Sequence, residues 1–560
     1  MRKLYQVWMP IFLICLVATA ANAQTFSVQC PATTPLHPKA TTDPNPVGGS
    51  IKCQQISGGD GLATMADGSQ TYLFSFGPLS GLNDIAAGLP GTQSQSVFMT
   101  PFDPNAGPGD PASNGAVGLV SDTDGVTIQV PDPNSVTGGT LTQSVCPPGT
   151  AIATDGSKRS CYTGHVDPRA IMDVGVMNGN IPAPMMAIDE DDEYFLTLTN
   201  VGMIMRPDLF EQHTVHFHGY PNASSFYDGV PDASVAINIG GSFTYYYLAP
   251  DAGTYFWHCH ITPPEHLQMG MVGQLYVRPR QNRAALNSSL LANWTAQQTN
   301  PRTASNCAAD ILCSAPKPAV STATRGNNKS LSPTLYAYND GDGSTAYDVE
   351  YPLQIHGFDP NFHFVGMTFN PEGFADMKDK YFLLNGRSYP DTTNMAGYQD
   401  TTGNVGSGNS AFVGAPTSST AMYTQDVDGV QCPSQPLNAV VNIPVGGRAL
   451  LRISDLDVSE YQTLASLGIP MHVVGLNARL LRDTAGNNLA YDSNSITLAG
   501  GESLDVILDA SDTIKYPAGQ TYYLYTPNLD HLSNDAENFG GLMTEVHICN
   551  SVDPSSKVCK

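Results

Sequence analysis

Positive charge is the scarcest feature of this chain. Of 560 residues only 25 are Lys or Arg, against 50 Asp or Glu, which leaves a formal charge of −25. A nucleic-acid backbone needs the opposite sign, so that class of partner is set aside. Charged residues of both signs reach only 13%, about half the usual share. Beyond residue 23 no apolar run is long enough to cross a bilayer, which excludes a transmembrane span in the mature chain. Helical periodicity of useful length is also missing, and this leaves strands as the building material. What is present fits that reading. Apolar residues make up 41%, enough for a sizeable core, and 53 Gly and 42 Pro supply turns without a collagen period. The length suggests two to four domains.

Residues 1–23 read as a signal peptide: Arg2 and Lys3, an apolar stretch from Val7 to Ala20, and Ala21-Asn22-Ala23 as the cleavage site. Export to the periplasm, the cell surface or the medium follows, and there cysteines pair. Cys30/Cys53, Cys146/Cys161, Cys307/Cys313 and Cys549/Cys559 are near neighbours able to close small loops. That leaves Cys259 and Cys432. Residues 24–160 are rich in turn formers and read as a loop-rich accessory region. Short strand segments separated by turns fill 161–285, among them Glu193–Asn200, Val235–Ile239, Ser242–Leu248, Gly253–Trp257 and Gly273–Val277. This spacing predicts a β-sandwich or barrel. Residues 286–340 read as a linker or insertion, 341–550 as a second β domain and 551–560 as a polar tail. The fold class is all-β.

Six of the 13 histidines fall between positions 213 and 266. The first group is His213-Thr-Val-His216-Phe-His218-Gly219. The second is Trp257-His258-Cys259-His260. In a strand, residues two apart share a face. His216 and His218 therefore point one way, as do His258 and His260, while Cys259 points to the other side. Two such pairs on adjacent strands bring four imidazoles into one space. A thiolate with two imidazoles and a weak thioether is the ligand set of a blue-copper site. Beside Cys259 the available groups are His213, His266 and Met271, with Met269 the competing thioether. Zinc would accept the same atoms but gives no reason to run two linked sites.

These motifs resemble the cupredoxin-domain multicopper oxidases, such as laccases and copper-resistance oxidases. The matching text is His213-Thr-Val-His-Phe-His218-Gly, Gly253-Thr-Tyr-Phe-Trp-His-Cys-His-Ile261 and His266-Leu-Gln-Met-Gly-Met271. The resemblance covers about 175–280 closely and 341–550 more loosely. It implies tandem Greek-key cupredoxin-like domains and a type 1 copper on His213, Cys259, His266 and Met271. It also implies type 2 and type 3 coppers on His216, His218, His258 and His260, the groups that carry O2 reduction. The implied activity is one-electron oxidation of a donor coupled to reduction of O2. The donor class is a metal cation or a small organic molecule.

Two departures stand out. Thr262-Pro-Pro-Glu265 adds residues between Cys259 and His266. The second domain also does not show the four histidines that the family's trinuclear centre takes from it. Gly468-Ile-Pro-Met-His-Val-Val-Gly475 looks like an eroded copy of the family's histidine element, with His472 surviving, so 341–550 is expected to be metal-depleted. His356, His363, His531 and His547 stand in settings that do not match the motif. The missing half is then supplied by a second copy in a homo-oligomer, by a different subunit, or not at all. The last case approaches the copper nitrite reductases, with His218 and His258 as first-domain ligands and His472 or another residue completing the site. An electron-transfer or structural surface protein is the non-enzymatic alternative.

Overall fold

The computed structural model describes residues 26–38, 46, 48–65, 70–107, 109–122, 127–131, 140–144, 161–220, 224–249, 251–298, 316–328, 333–366, 373–393, 437–554 and 556–560. The signal peptide and Cys432 lie outside them. So do the Cys307/Cys313 pair and, with Cys146, any test of the Cys146/Cys161 pair.

The chain forms two cupredoxin-like β-sandwiches in tandem. One sheet of the first runs in the order Ser242–Leu248, Glu193–Gly202, Ile51–Thr64, Gln70–Pro78. The facing sheet runs His216–Phe217, Gly253–His258, Val272–Arg278, Met186–Asp189. Between them lies a core of large aromatics, with Tyr194, Tyr245, Tyr247 and Trp257 around Cys259 and Met271. The 24–160 stretch is thus not simply an accessory region. Its strands Ile51–Thr64 and Gln70–Pro78 are built into the first sandwich, Ile51–Thr64 pairing parallel with Glu193–Gly202. The strand expected at Val235–Ile239 is reduced to one bridge, His213 with Ile237. The other strands expected in 161–285 form within a residue or two.

The second sandwich has a sheet in the order Tyr381–Leu384, Val349–Phe358, Arg448–Asp455, Ser503–Asp509, Met471–Leu476. Its facing sheet runs Val441–Pro444, Met543–Cys549, Thr521–Tyr525, Gln462–Leu467, Ser495–Leu498. Two of the expected disulfides are present, Cys30–Cys53 and Cys549–Cys559, and Cys259 is a free, buried thiol. The second disulfide turns the polar tail back onto this domain, where Lys557 Nζ donates to Glu350 O at 2.7 Å. The two sandwiches meet through buried polar contacts: Thr254 Oγ1 donates to Asp505 Oδ1 at 2.6 Å, and Gln274 Nε2 donates to Ser454 Oγ at 2.7 Å. No helix among the described residues is long and apolar enough to cross a membrane.

Candidate metal centre

Strand pairing places His216 directly opposite His258. Three rings spend Nδ1 on backbone carbonyls: His216 on Asp228 O at 2.7 Å, His258 on Cys259 O at 2.6 Å, and His218 on Gly501 O at 3.3 Å. Such contacts fix the tautomer and leave Nε2 free to bind. The freed nitrogens converge, His218 Nε2 lying 3.0 Å from His258 Nε2. His216, His218 and His258 form one group with ligand atoms close enough to share a metal ion. His260 stands at the edge of that group, its ring 5.1 Å from that of His216 and 5.4 Å from that of His258. Burial pushes the pKa of His218 down to about 4, and like charge on His216 adds to this. Burial holds His258 well below the ordinary value and lowers His216 as well. These rings are therefore neutral near pH 7, the form that binds metal.

On the other side of the same strand, Cys259 Sγ accepts from Thr214 N at 3.4 Å and lies 3.3 Å from His266 Nδ1. His213, Cys259 and His266 form the second group able to hold a metal ion. Burial would raise the Cys259 thiol, but the charge and hydrogen bond of His266 outweigh it and hold the thiol below its usual range. Burial likewise opposes charge on His266, and Cys259 outweighs it, lifting that ring to about 9. His213 is fully buried, and neither ring nitrogen has a partner. An unpartnered buried imidazole beside a cysteine sulfur is a donor set that fits a soft-ligand metal ion. Copper therefore suits this donor set. Met269 and Met271 are both buried in the same core, and Cys259 N donates to Met271 O at 3.0 Å.

The ligand loop is strained at its start. Thr262 has φ +36°, a left-handed backbone rare for a β-branched residue, and it opens the short helix Pro263–Gln268 that carries His266. The loop closes where Met271 N donates to His266 O at 2.8 Å.

Against this geometry, residues 162–282 match a family model described as multicopper oxidase. Over 109 residues the chain is 34% identical to Laccase abr2 of Aspergillus fumigatus, covering 19% of this chain and 17% of that protein. It is also 34% identical over 106 residues to a copper-containing nitrite reductase of Neorhizobium galegae, covering 18% and 25%. The match thus spans a quarter or less of either relative's length. A blue copper oxidase from Nitrosomonas europaea aligns with 67% of this chain and 79% of its own, at 18% identity and a TM-score of 0.40.

Several neighbours of the centre fall outside the motif. Gly58, in strand Ile51–Thr64, faces His213 so closely that a Cβ there would lie 2.6 Å from the ring. The Phe74 ring sits edge-on to His266 at 5.1 Å and stacks beside His213 at 6.5 Å. Glu211 Oε2 lies 3.4 Å from His266 Nε2. Gly58 and Phe74 are more than 130 residues from their histidines in the chain, and only the alternation of Tyr72, Phe74 and Phe76 hinted at an inward-facing strand.

The second-domain histidines do not join either group. The Met471–Leu476 strand pairs with Ser503–Asp509, whereas the strand beside Thr521–Tyr525 is Gln462–Leu467. Gly468–Gly475 is therefore not a counterpart of the His216–Phe217 strand. Its likeness came from Gly and Pro punctuation around an ordinary buried strand. His472 instead bonds Asp492 at 2.8 Å. His531 lies between Gln462 and Glu460, and His547 bonds Glu545. The second sandwich packs Leu464 and Leu524 into its own apolar core.

Proposed function

We propose that this chain is an exported copper-dependent oxidoreductase. It oxidises a donor by one electron at a type 1 copper and reduces O2 at a trinuclear centre completed by another subunit. The observation that carries the reading is the free Cys259 thiol. It faces two buried imidazoles on one side of its strand, while its sequence neighbours join a cluster of imidazoles on the other. His213, Cys259, His266 and Met271 would hold the type 1 ion. His216, His218, His258 and His260 would hold this chain's share of the second centre. Copper, when bound, supplies one-electron transfer at the first site and dioxygen reduction at the second.

The chain's own residues do the rest. Cys259 is joined through one peptide bond to each of His258 and His260, so the two sites share the shortest covalent path a backbone offers. Glu211 sets a negative charge at the outer edge of His266, where a donor approaches. That charge suits a metal cation, and it can also accept the proton of a small phenol. The aromatic wall around Cys259 excludes water from the thiolate. No second-domain imidazole joins the cluster among the described residues, which is why a second copy or a partner chain is invoked for the missing half.

Copper loading of the purified chain tests this reading. Cys259→Ser is expected to abolish the intense blue absorption while leaving the fold intact; an unchanged visible spectrum sinks the assignment. His216→Ala is expected to keep the blue band and lose O2 consumption with a phenol or metal donor. A second reading has one observation in its favour: His216, His218 and His258 form the tight group, with His260 beside it. A smaller second site, as in a nitrite-reductase-like enzyme, would use His218 and His258 with a residue from elsewhere completing it. Copper stoichiometry separates the two, at four ions per functional centre for the oxidase and two for the reductase.

A further inference from the structure

The loop that carries His266 and the two methionines is gripped from outside its own domain. Helix Pro263–Gln268 is too short to bond all of its last carbonyls within itself, although Gly270 N donates to Leu267 O at 3.0 Å. Two consecutive ones meet buried histidines of the second sandwich. His356 Nε2 lies 3.1 Å from Leu267 O, and His363 Nε2 lies 2.9 Å from Gln268 O. His356 comes from strand Val349–Phe358 and His363 from the following helix, Pro360–Gly366. Both rings are fully buried, and His363 stacks on Phe358 with centroids 3.7 Å apart. The other nitrogen of His363 meets Tyr72 O at 2.6 Å, two residues from the Phe74 that leans on His213 and His266. The Gln268 side chain is held too, Nε2 donating to Asp379 Oδ1 at 2.9 Å.

We propose that His356 and His363 are positioning residues for the copper site. In this role the second sandwich is the clamp that fixes His266, Met269 and Met271 against Cys259. The inference rests on the ligand assignment proposed above. From its own sandwich the loop is held by Ser75 Oγ, which donates to Gly270 O. Between the left-handed Thr262 and Gly270, whose φ is +110°, it makes no sheet pairing of its own. A carbonyl oxygen can accept twice, and at Leu267 O the His356 N–H adds to that of Gly270, so each imidazole contact ties one loop residue to a rigid strand or helix of the neighbouring domain. Groups that orient ligands from one shell out tune metal affinity nearly as much as the ligands do. A carbonyl only accepts, so His363 satisfies both of its carbonyls only as an imidazolium, a form that burial disfavours by pushing its pKa down to about 3. His356 supplies the contact that needs no second proton.

The test uses the full chain, with His356→Leu, His363→Leu and His356→Gln, and His531→Leu as control. His531 is equally a buried second-domain histidine, stacked on Phe382 at 3.8 Å and bonded to Gln462, but it does not touch the loop. In copper-loaded protein, His356→Leu and His363→Leu are expected to release copper from the blue site to a chelator about ten-fold faster or more. They are also expected to shift the blue band and its electron paramagnetic resonance spectrum. His356→Gln keeps a donor for Leu267 O and should restore the wild-type rate, and His531→Leu should lower thermal stability alone. In metal-free protein, amide hydrogen exchange over 266–271 should rise in the two Leu variants and not in the control. Unchanged release and spectrum in both Leu variants overturn the clamp, as does a control that matches them. If wild type never turns blue, the copper assignment has failed, and the exchange experiment still decides the clamp by itself. Should His363→Leu not fold, the His356→Leu and His356→Gln pair carries the decision.

Discussion

At Cys259 three demands meet. The thiol is buried, His266 holds its pKa below the usual range, and it is bonded to residues of the neighbouring imidazole cluster. A buried thiolate without a metal or a cation is costly, so the surroundings are built around a positive partner. The same tightness extends to residues with no chemistry of their own. Gly58 is required by the His213 ring, not by its own backbone conformation. Gly58→Ala is expected to destabilise the fold by about 1–3 kcal/mol through overpacking. It should also displace His213, so that thermal melts and the blue band of copper-loaded protein change together. A drop in melting temperature with an unaltered band would mean that His213 does not bind the metal. The His-x-His and His-Cys-His elements were legible because strand alternation is a local rule. Gly58 and Phe74 were not, because nothing local tells a glycine in a polar strand that an imidazole arrives from 155 residues away.

Among the elements, strand Ile51–Thr64 is the instructive one. It carries Gln54, Gln55 and Asp60, all buried, and three glycines near its end, so its pattern reads as a loop. It is a central strand because its polar side chains find partners: Tyr72 donates to Asp60 Oδ1 at 2.7 Å, and Gln55 Nε2 reaches Thr199 Oγ1 at 3.2 Å. The segment before it is latched by chemistry that responds to pH. His37 Nδ1 lies 2.6 Å from Glu193 Oε2, and Thr34 and Tyr246 donate to the same carboxylate. Burial alone would lower the pKa of His37, but Glu193 and the Gly48 carbonyl outweigh it and raise the ring above 6.5, with Asp192 adding to the pull. The proton is thus held more tightly in the folded state. The latch contributes its full stability below about pH 6.5 and loses it as pH rises through the folded-state value. Thermal melts from about pH 6 to about pH 9 should show wild type losing stability relative to His37→Gln, and parallel curves would refute the latch.

Across the whole molecule the two sandwiches are joined by largely buried charge, Arg278 Nη2 lying 2.6 Å from Glu350 Oε1. Arg452 is fully buried, with Nε 3.1 Å from Glu350 Oε2, Nη1 3.4 Å from Asp505 Oδ1 and its guanidinium 4.8 Å above the Tyr276 ring. Burial would raise Glu350, yet Arg278, Arg452 and Lys557 outweigh it and hold this carboxyl far below the usual range. Removing one partner strands the others. Arg452→Leu is expected to cost about 3–5 kcal/mol in denaturant unfolding, whereas exposed Arg169→Leu should leave the unfolding midpoint essentially unmoved. By itself the sequence determined the all-β class, the copper-type donor set and its division between two faces of one strand. Those follow from residue identity and a two-residue repeat, both of which are local. Only the tertiary structure decided that the N-terminal stretch walls the first site, that Gly468–Gly475 is an ordinary strand, and that second-domain histidines seize the ligand loop. Each of these depends on which distant strands become neighbours, and burial, not local pattern, sets that pairing.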